Sequence, residues 1–303
     1  MSIVVTNLTK EYGLQKAVND ISFTVNKGEI VGFIGPNGAG KSTTMKIITG
    51  YLRDFTGKVE VNGLELSTNL IEVKRQIGYL PEHNPLYLDM YVREYLRFVA
   101  GIHKLGKESA QRINNVIELT GLGLEQKKKI GSLSKGYRQR VGLASTLVHD
   151  PSVLILDEAT TGLDPNQIVE IRNLIATVGK EKTVLLSTHI MQEVEAICQK
   201  VIIINKGKIV MDDISENVNS YSKETRQQVF AEFSKSIDIK SLSTISGVVE
   251  IQNVDANKWL IMGNGLVDIR PNIFDFAVKN GLQVLSLHEQ QQSLEDVFRE
   301  VTK

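Results

Sequence analysis

The residues with types and spacing suited to chemistry begin at Gly35-Pro36-Asn37-Gly38-Ala39-Gly40-Lys41-Ser42-Thr43, which meets the pattern G-x-x-x-x-G-K-[ST] at every fixed position. Glycines let successive backbone N–H groups close around an anion, and a helix starting where the loop ends adds roughly half a positive charge. Lys41 would reach the outer phosphates of a polyphosphate, and Ser42 would hold magnesium. A second set lies 116 residues beyond Lys41, where Val153-Leu154-Ile155-Leu156 runs into Asp157 and Glu158. A buried strand delivers both carboxylates at its carboxyl end, beside the phosphate loop if the two strands are neighbours. Asp157 would complete the magnesium shell. Glu158 would stand where water attacks the terminal phosphate, as base or as water-positioning group. Between these sets, Leu133-Ser134-Lys135-Gly136-Tyr137-Arg138-Gln139-Arg140 precedes Val141, Ala144, Leu147 and Val148 at helical spacing. Ser134 and Gly136 therefore sit where a helix starts, and a second anion site and a plain helix cap both fit.

The elements that must position these residues follow from periodicity and turn residues. Ile3 to Leu8 and Ile21 to Val25 read as edge or antiparallel strands, and Glu29 to Ile34 as a buried strand leading into the Gly-rich loop. Helical spacing resumes over Lys41 to Thr49. From about Tyr91 to Leu147 the pattern is helical throughout, with Val92, Tyr95, Leu96 and Val99 on one face and Ile113, Val116, Ile117 and Thr120 on another. Apolar runs at Val153 to Leu156, Thr183 to Ser187 and Val201 to Ile204, separated by helices, are the signature of a parallel sheet with crossover helices. After Asp212 the chain turns polar, and a domain boundary is expected near residue 221. Beyond it the order is strand Val229 to Phe233, helix Ile237 to Ile245, strand Val248 to Val254, strand Trp259 to Met262, helix Ile273 to Asn280, strand Gln283 to His288 and helix Leu294 to Val301. That order matches a split βαβ pattern.

Composition narrows the function classes. With 303 residues, 42% hydrophobic and 23% charged, the chain can bury a core, which excludes a peptide-sized module and wholesale disorder. The 35 basic residues balance 35 acidic ones, and from residue 221 onward nine basic face eleven acidic, so no positive field recruits nucleic acid. A single cysteine, Cys198, supplies neither an intrachain disulfide nor a thiolate zinc cluster and reads as a small buried residue. No apolar run approaches the roughly 18 to 20 residues that span a bilayer, and the start, MSIVVTNLTKEYG, lacks the build of a signal peptide. A cytoplasmic location is expected, at a membrane only where a partner holds the chain there. His83, His103, His149 and His288 carry no motif context and read as surface or packing residues.

Taken in order, the phosphate loop, the Ser134 segment and the Asp157-Glu158 strand resemble the ATPase subunit of ATP-binding cassette (ABC) transporters. The resemblance covers about residues 1–215. It implies an α/β fold: a P-loop NTPase cassette with a mixed sheet core in a domain of residues 1–220 and a helical subdomain at about 84–150; the element order beyond it reads as a small C-terminal α+β, ferredoxin-like domain at 221–303. It further implies that Tyr12 stacks on adenine as the aromatic residue before the first long strand, and that Asp164, in Gly162-Leu163-Asp164-Pro165, belongs to a loop crossing to the opposite subunit. His189, after the strand Thr183 to Thr188, resembles the switch histidine at the terminal phosphate. Two cassettes would meet head to tail, each ATP lying between one phosphate loop and Ser134, Lys135, Gly136 and Tyr137 of the other copy. Magnesium would be shared by Ser42, Asp157 and Glu82. Lys135 and Tyr137 depart from the commonest family residues, glycine and glutamine, as does Glu82 in Ile77-Gly78-Tyr79-Leu80-Pro81-Glu82, where most cassettes carry glutamine.

Downstream, Asn84-Pro85-Leu86-Tyr87-Leu88-Asp89-Met90 exposes apolar side chains, either as a docking groove for a membrane subunit or as packing against the helical insertion. The ending Ser293-Leu294-Glu295-Asp296-Val297-Phe298 resembles bacterial ATP-binding subunits of drug, lipid or polysaccharide exporters, and more specifically gliding-motility-associated ones. The resemblance therefore implies a magnesium-dependent ATPase that drives a separate integral-membrane permease at the cytoplasmic face of the inner membrane. The competing readings are a soluble ATP-gated clamp on ribosomes or DNA and a subunit that binds ATP without hydrolysing it. The small domain could brace a dimer, regulate, or touch the permease.

Overall fold

The computed structural model describes residues 1–214, 227–264, 267–289 and 294–302. They form two compact units, Met1–Ile214 and a second ending at Val301. The boundary expected near residue 221 and Ser293 of the C-terminal motif lie outside the described residues.

The first unit opens with an antiparallel pair, β1 (Ile3–Tyr12) and β2 (Gln15–Val25). Both are longer than the apolar runs suggest, because the tight turn at Gly13, with φ of +60°, lets pairing continue to Tyr12 opposite Gln15. β4 (Thr56–Val61) adds to β1 and β5 (Leu64–Glu65) to β4, giving a four-stranded sheet in the order β2-β1-β4-β5. The main sheet contains β3 (Ile30–Ile34), β6 (Ile77–Leu80), β7 (Val153–Asp157), β8 (Thr183–Thr188), β9 (Lys200–Asn205) and β10 (Lys208–Ile214). Its order is β10-β9-β3-β8-β7-β6, parallel except for the β10–β9 hairpin. β3 and β7, whose adjacency the sequence left as a condition, are thus not neighbours; β8 lies between them. The crossover after β7, α6 (Pro165–Gly179), returns the chain to that central slot.

Between the sheets runs α1 (Lys41–Ile48), whose Met45, Ile47 and Ile48 are fully buried. They join Phe23 and Phe33, with ring centroids 5.4 Å apart, in one core drawn from both sheets. Each such side chain contributes about 1.5–3 kcal/mol on burial, so the helix start is anchored firmly. α2 (Leu70–Gln76) precedes β6, and the helical region comprises α3 (Val92–Ile102), α4 (Ser109–Leu119) and α5 (Lys135–Leu147). α7 (Met191–Ile197) connects β8 to β9.

The second unit has β11 (Gln228–Phe233), a short α8 (Ile239–Leu242), β12 (Val248–Asp255), β13 (Lys258–Gly263), α9 (Arg270–Lys279), β14 (Val284–Glu289) and α10 (Leu294–Val301). Its sheet is antiparallel throughout, in the order β12-β13-β11-β14. The expected element order is present. The first helix is only one turn long, with Asp238 as its N-cap, accepting from Lys240 N, and Ser243 as its C-cap.

Candidate functional site

The loop from Gly35 to Gly40 is shaped by steric demands that only glycine meets. A Cβ on Gly35 would stand 2.3 Å from the Ile204 carbonyl oxygen, and Gly40 sits at φ +112° with a would-be Cβ 2.5 Å from Ala17 O. Gly40 is the N-cap of α1 and offers no side chain, so the first N–H groups of the helix have no internal acceptor from it. Those N–H groups and the helix dipole make an anion site.

Lys41 is 5% exposed, and its Nζ donates to Gly35 O at 2.7 Å and Pro36 O at 3.2 Å. Burial lowers its pKa, opposed by the charges of Glu158, Asp157 and Glu82. Those three carboxylates are therefore the electrostatic surroundings of the ammonium, although they come from β7, the residue after it, and the segment after β6.

Asp157, at the end of β7, is 1% exposed, and among the described residues its Oδ1 has no hydrogen-bond partner; nor has the Oγ of Ser187, opposite it on β8. Glu158 adopts φ +51°, a left-handed conformation uncommon for a residue with a long side chain. Its N–H donates to Ser187 O at 3.0 Å, which fixes the turn out of the strand. The carboxylate Oε2 accepts from Thr161 Oγ1 at 2.7 Å and lies 3.2 Å from His189 Nδ1.

Lys41, Glu158, Thr161 and His189 meet in one groove of about 490 Å³, whose walls do not include the buried Asp157 and Ser187. Its walls are Asn37, Gly38, Gly40, Lys41, Ser42 and Thr43 of the loop and α1, with Ala17 of β2, Glu82 after β6, Glu158 and Thr161 after β7, and His189 after β8. Gly35, Pro36 and Ala39 build the loop without lining the groove. Ala17 and Thr161 carry no motif; the signal for Thr161 is only a hydroxyl three residues after Glu158.

Other expected residues lie outside the groove's walls. Tyr12 ends β1, ahead of β2 and β3, and is half exposed, with Lys10 Nζ 4.8 Å from its ring centroid. Ser134 is the N-cap of α5, its hydroxyl accepting from Tyr137 N at 3.4 Å. Gly136 is buried against Gln167, whose side chain would be 2.6 Å from a Cβ there. Lys135 is exposed yet its Nζ rests over Gly162, and Tyr137 lies beneath the Arg140 guanidinium. Asp164 caps α6, accepting from Gln167 N at 3.0 Å, with Pro165 at the first helical position. Of the motif-free histidines, His149 packs its ring on His103 at 3.7 Å and donates from Nε2 to Ile77 O, as a packing residue does.

A model of the ABC transporter family matches residues 18–161. The bacitracin transport ATP-binding protein BcrA of Bacillus licheniformis is 35% identical over 98% of this chain and 95% of its own length. The chain belongs to the ABC transporter ATP-binding family. The linearmycin resistance ATP-binding protein LnrL of Bacillus subtilis is 30% identical over 98% of this chain and 96% of its own. A solved ATP-binding subunit of an ABC transporter superposes with a TM-score of 0.67 at 30% identity, over 73% of this chain and 93% of that one. The fold is accordingly an ABC cassette and the protein an ABC-type ATPase, a nucleotide-binding enzyme built on a phosphate loop. No helix among the described residues is long and apolar enough to cross a membrane.

Proposed function

We propose that this ABC ATPase closes as a pair of copies on two ATP molecules and drives a separate membrane permease, working as an exporter. The observation that carries the hydrolytic part is the convergence of Lys41, Glu158 and His189 on one groove at a glycine-built helix start. In this reading Glu158 positions or deprotonates the attacking water. Among the described residues, its hydrogen bond from Thr161 and its approach to His189 both fall on Oε2, and Oε1 is proposed to face the ligand. His189, which lines the same groove, meets the terminal phosphate. Lys41 leaves its two carbonyl acceptors for phosphate oxygens, which regain the hydration the buried ammonium has lost.

Magnesium fits the residues present. Ser42 lines the groove, and Asp157 is buried with an orphaned oxygen that a cation or its water would satisfy. Bound there, the ion would neutralise phosphate charge as the terminal bond breaks. Glu82 lines the same groove and could add a third oxygen. Tyr12, at the hairpin end beside Lys10, is proposed to stack on adenine. Ser134, Lys135, Gly136 and Tyr137 at the α5 start, with Asp164, are proposed to meet the other copy's nucleotide; each has a role on its own helix and lies outside this chain's groove.

The exporter reading is supported by the names of the bacitracin transport and linearmycin resistance relatives. They support it more directly than the gliding-motility role. Permease contact is proposed at the segment after Glu82, where Tyr87 and Leu88 are about half exposed. That contact would hold the chain at the cytoplasmic face of the inner membrane. The second unit, whose first strand lies between the third and fourth, is read as a ferredoxin-like domain beginning near residue 221.

Glu158→Gln tests the mechanism: ATP binding is retained, turnover is lost and nucleotide traps a dimer, whereas undiminished turnover refutes the assigned role. Purification in detergent tests the partner: recovery with a polytopic membrane protein supports transport, and recovery with ribosomes or DNA supports a soluble clamp.

A further inference from the structure

One buried charged side chain of the first unit has no part in the mechanism above. Glu193, in the first turn of α7, is 2% exposed and its Oε1 has no hydrogen-bond partner among the described residues. Burying a carboxylate with one oxygen unsatisfied is costly, and helix packing alone would favour an apolar side chain in its place. Its other oxygen, Oε2, accepts from Thr188 Oγ1 at 2.8 Å, and that hydroxyl in turn accepts from Ile190 N at 3.1 Å. The two bonds straddle His189. Thr188 is itself 2% exposed and pairs with Ile34, the residue just before the phosphate loop, so the anchor is tied to the strand that carries the loop.

We infer that Thr188 and Glu193 are positioning residues for His189: a hydroxyl held by a buried carboxylate locks the 188–190 turn, and the locked turn keeps the imidazole 3.2 Å from Glu158 Oε2. The inference rests on the hydrolytic role proposed for His189 and names the groups that set its geometry. A hydroxyl is required because it must donate to Glu193 and accept from Ile190 at once. Valine has the same shape and can do neither.

The test uses the full-length protein and steady-state ATP hydrolysis. Thr188→Val is expected to lower kcat at least about tenfold with KM for ATP within about twofold of wild type. Thr188→Ser, which keeps the hydroxyl, should stay within about threefold of wild-type kcat. In a His189→Ala background Thr188→Val should change kcat by less than about twofold, because the group it acts through is already gone. A general loss of packing would instead slow both backgrounds alike. Should Thr188→Val melt below the assay temperature, Glu193→Gln decides, since its amide oxygen still accepts from Thr188. A kcat within about threefold of wild type supports the wiring and a tenfold fall overturns it. Wild-type kcat in Thr188→Val, or an equal loss in the His189→Ala background, overturns the inference while Glu158→Gln remains inactive. Undiminished turnover by Glu158→Gln removes the functional reading and the inference together.

Discussion

Around Glu158, three segments far apart in the sequence converge: the start of α1 brings Lys41, the turn after β7 brings Thr161, and the segment just after β8 brings His189. Around Ser134 the pattern is the reverse. Its hydroxyl caps its own helix, Asp164 caps the next one, and Lys135 and Gly136 pack against the loop and helix after β7. The first region is assembled inside one chain, held by an uncommon backbone conformation at Glu158 and by buried strands on either side. The second is a rigid helix start whose groups lie outside the groove the first region lines. A site built of the first kind hydrolyses only as fast as its geometry is held. In the proposed reading, one built of the second kind acts only where the other copy brings its nucleotide to it.

Substitutions in the first region should produce the largest effects. Glu158→Gln is expected to lower kcat by about 10²–10⁴-fold, the range for a positioned general base, while ATP binding measured by fluorescence is unchanged. Lys41→Ala should weaken ATP binding about 10- to 100-fold, the worth of a charge-assisted hydrogen bond. In the second region, Ser134→Ala should leave ATP binding by the separate chain intact. In a Glu158→Gln background it should weaken nucleotide-driven dimerisation about tenfold by sedimentation, in line with loss of one capping-type hydrogen bond. Equal loss of monomer ATP binding would erase the distinction between the regions.

A stability effect away from both regions calibrates them. Burial chiefly, and then the charge of His103, push the His149 pKa down to about 4. Between an unfolded value near 6.5 and that folded value the unfolded state holds the extra proton, so stability falls as pH drops through this window. The expected loss is about 2 kcal/mol between pH 7 and pH 5. His149→Gln should flatten that pH dependence in denaturant melts without moving kcat. The smallest effect is expected at Glu82. Glu82→Gln should keep ATPase activity within about threefold, and a larger change would make Glu82 a metal ligand.

Much of the fold was readable because it is written in local periods. The runs that became β3, β7, β8 and β9 are continuous apolar segments, and the second unit's element order follows from alternation and turn residues. β4, β5 and β10 were not foreseen. β4 carries only Val59 and Val61 inward among Thr56, Gly57, Lys58 and Glu60, and owes its state to pairing with β1, which lies about fifty residues away in the chain. β6 was seen only as the approach to Glu82. In the site, the phosphate loop and the Asp157-Glu158 pair were legible. Thr161 and Ala17 were not, since a hydroxyl in a turn and a small strand residue gain meaning only from what faces them.

The sequence by itself determined that backbone N–H groups, a lysine and a hydroxyl would gather at one helix start, because six residues of loop between strand and helix specify that arrangement locally. It also determined that two carboxylates would end a buried strand. Tertiary structure alone decided that β8 runs between the strand of the loop and the strand of the carboxylates. That insertion brings His189 to Glu158 and stands Ser187 beside Asp157. Strand order depends on which distant segments pair and on how crossover helices cover the sheet, and neither is encoded in the spacing of residues along one segment.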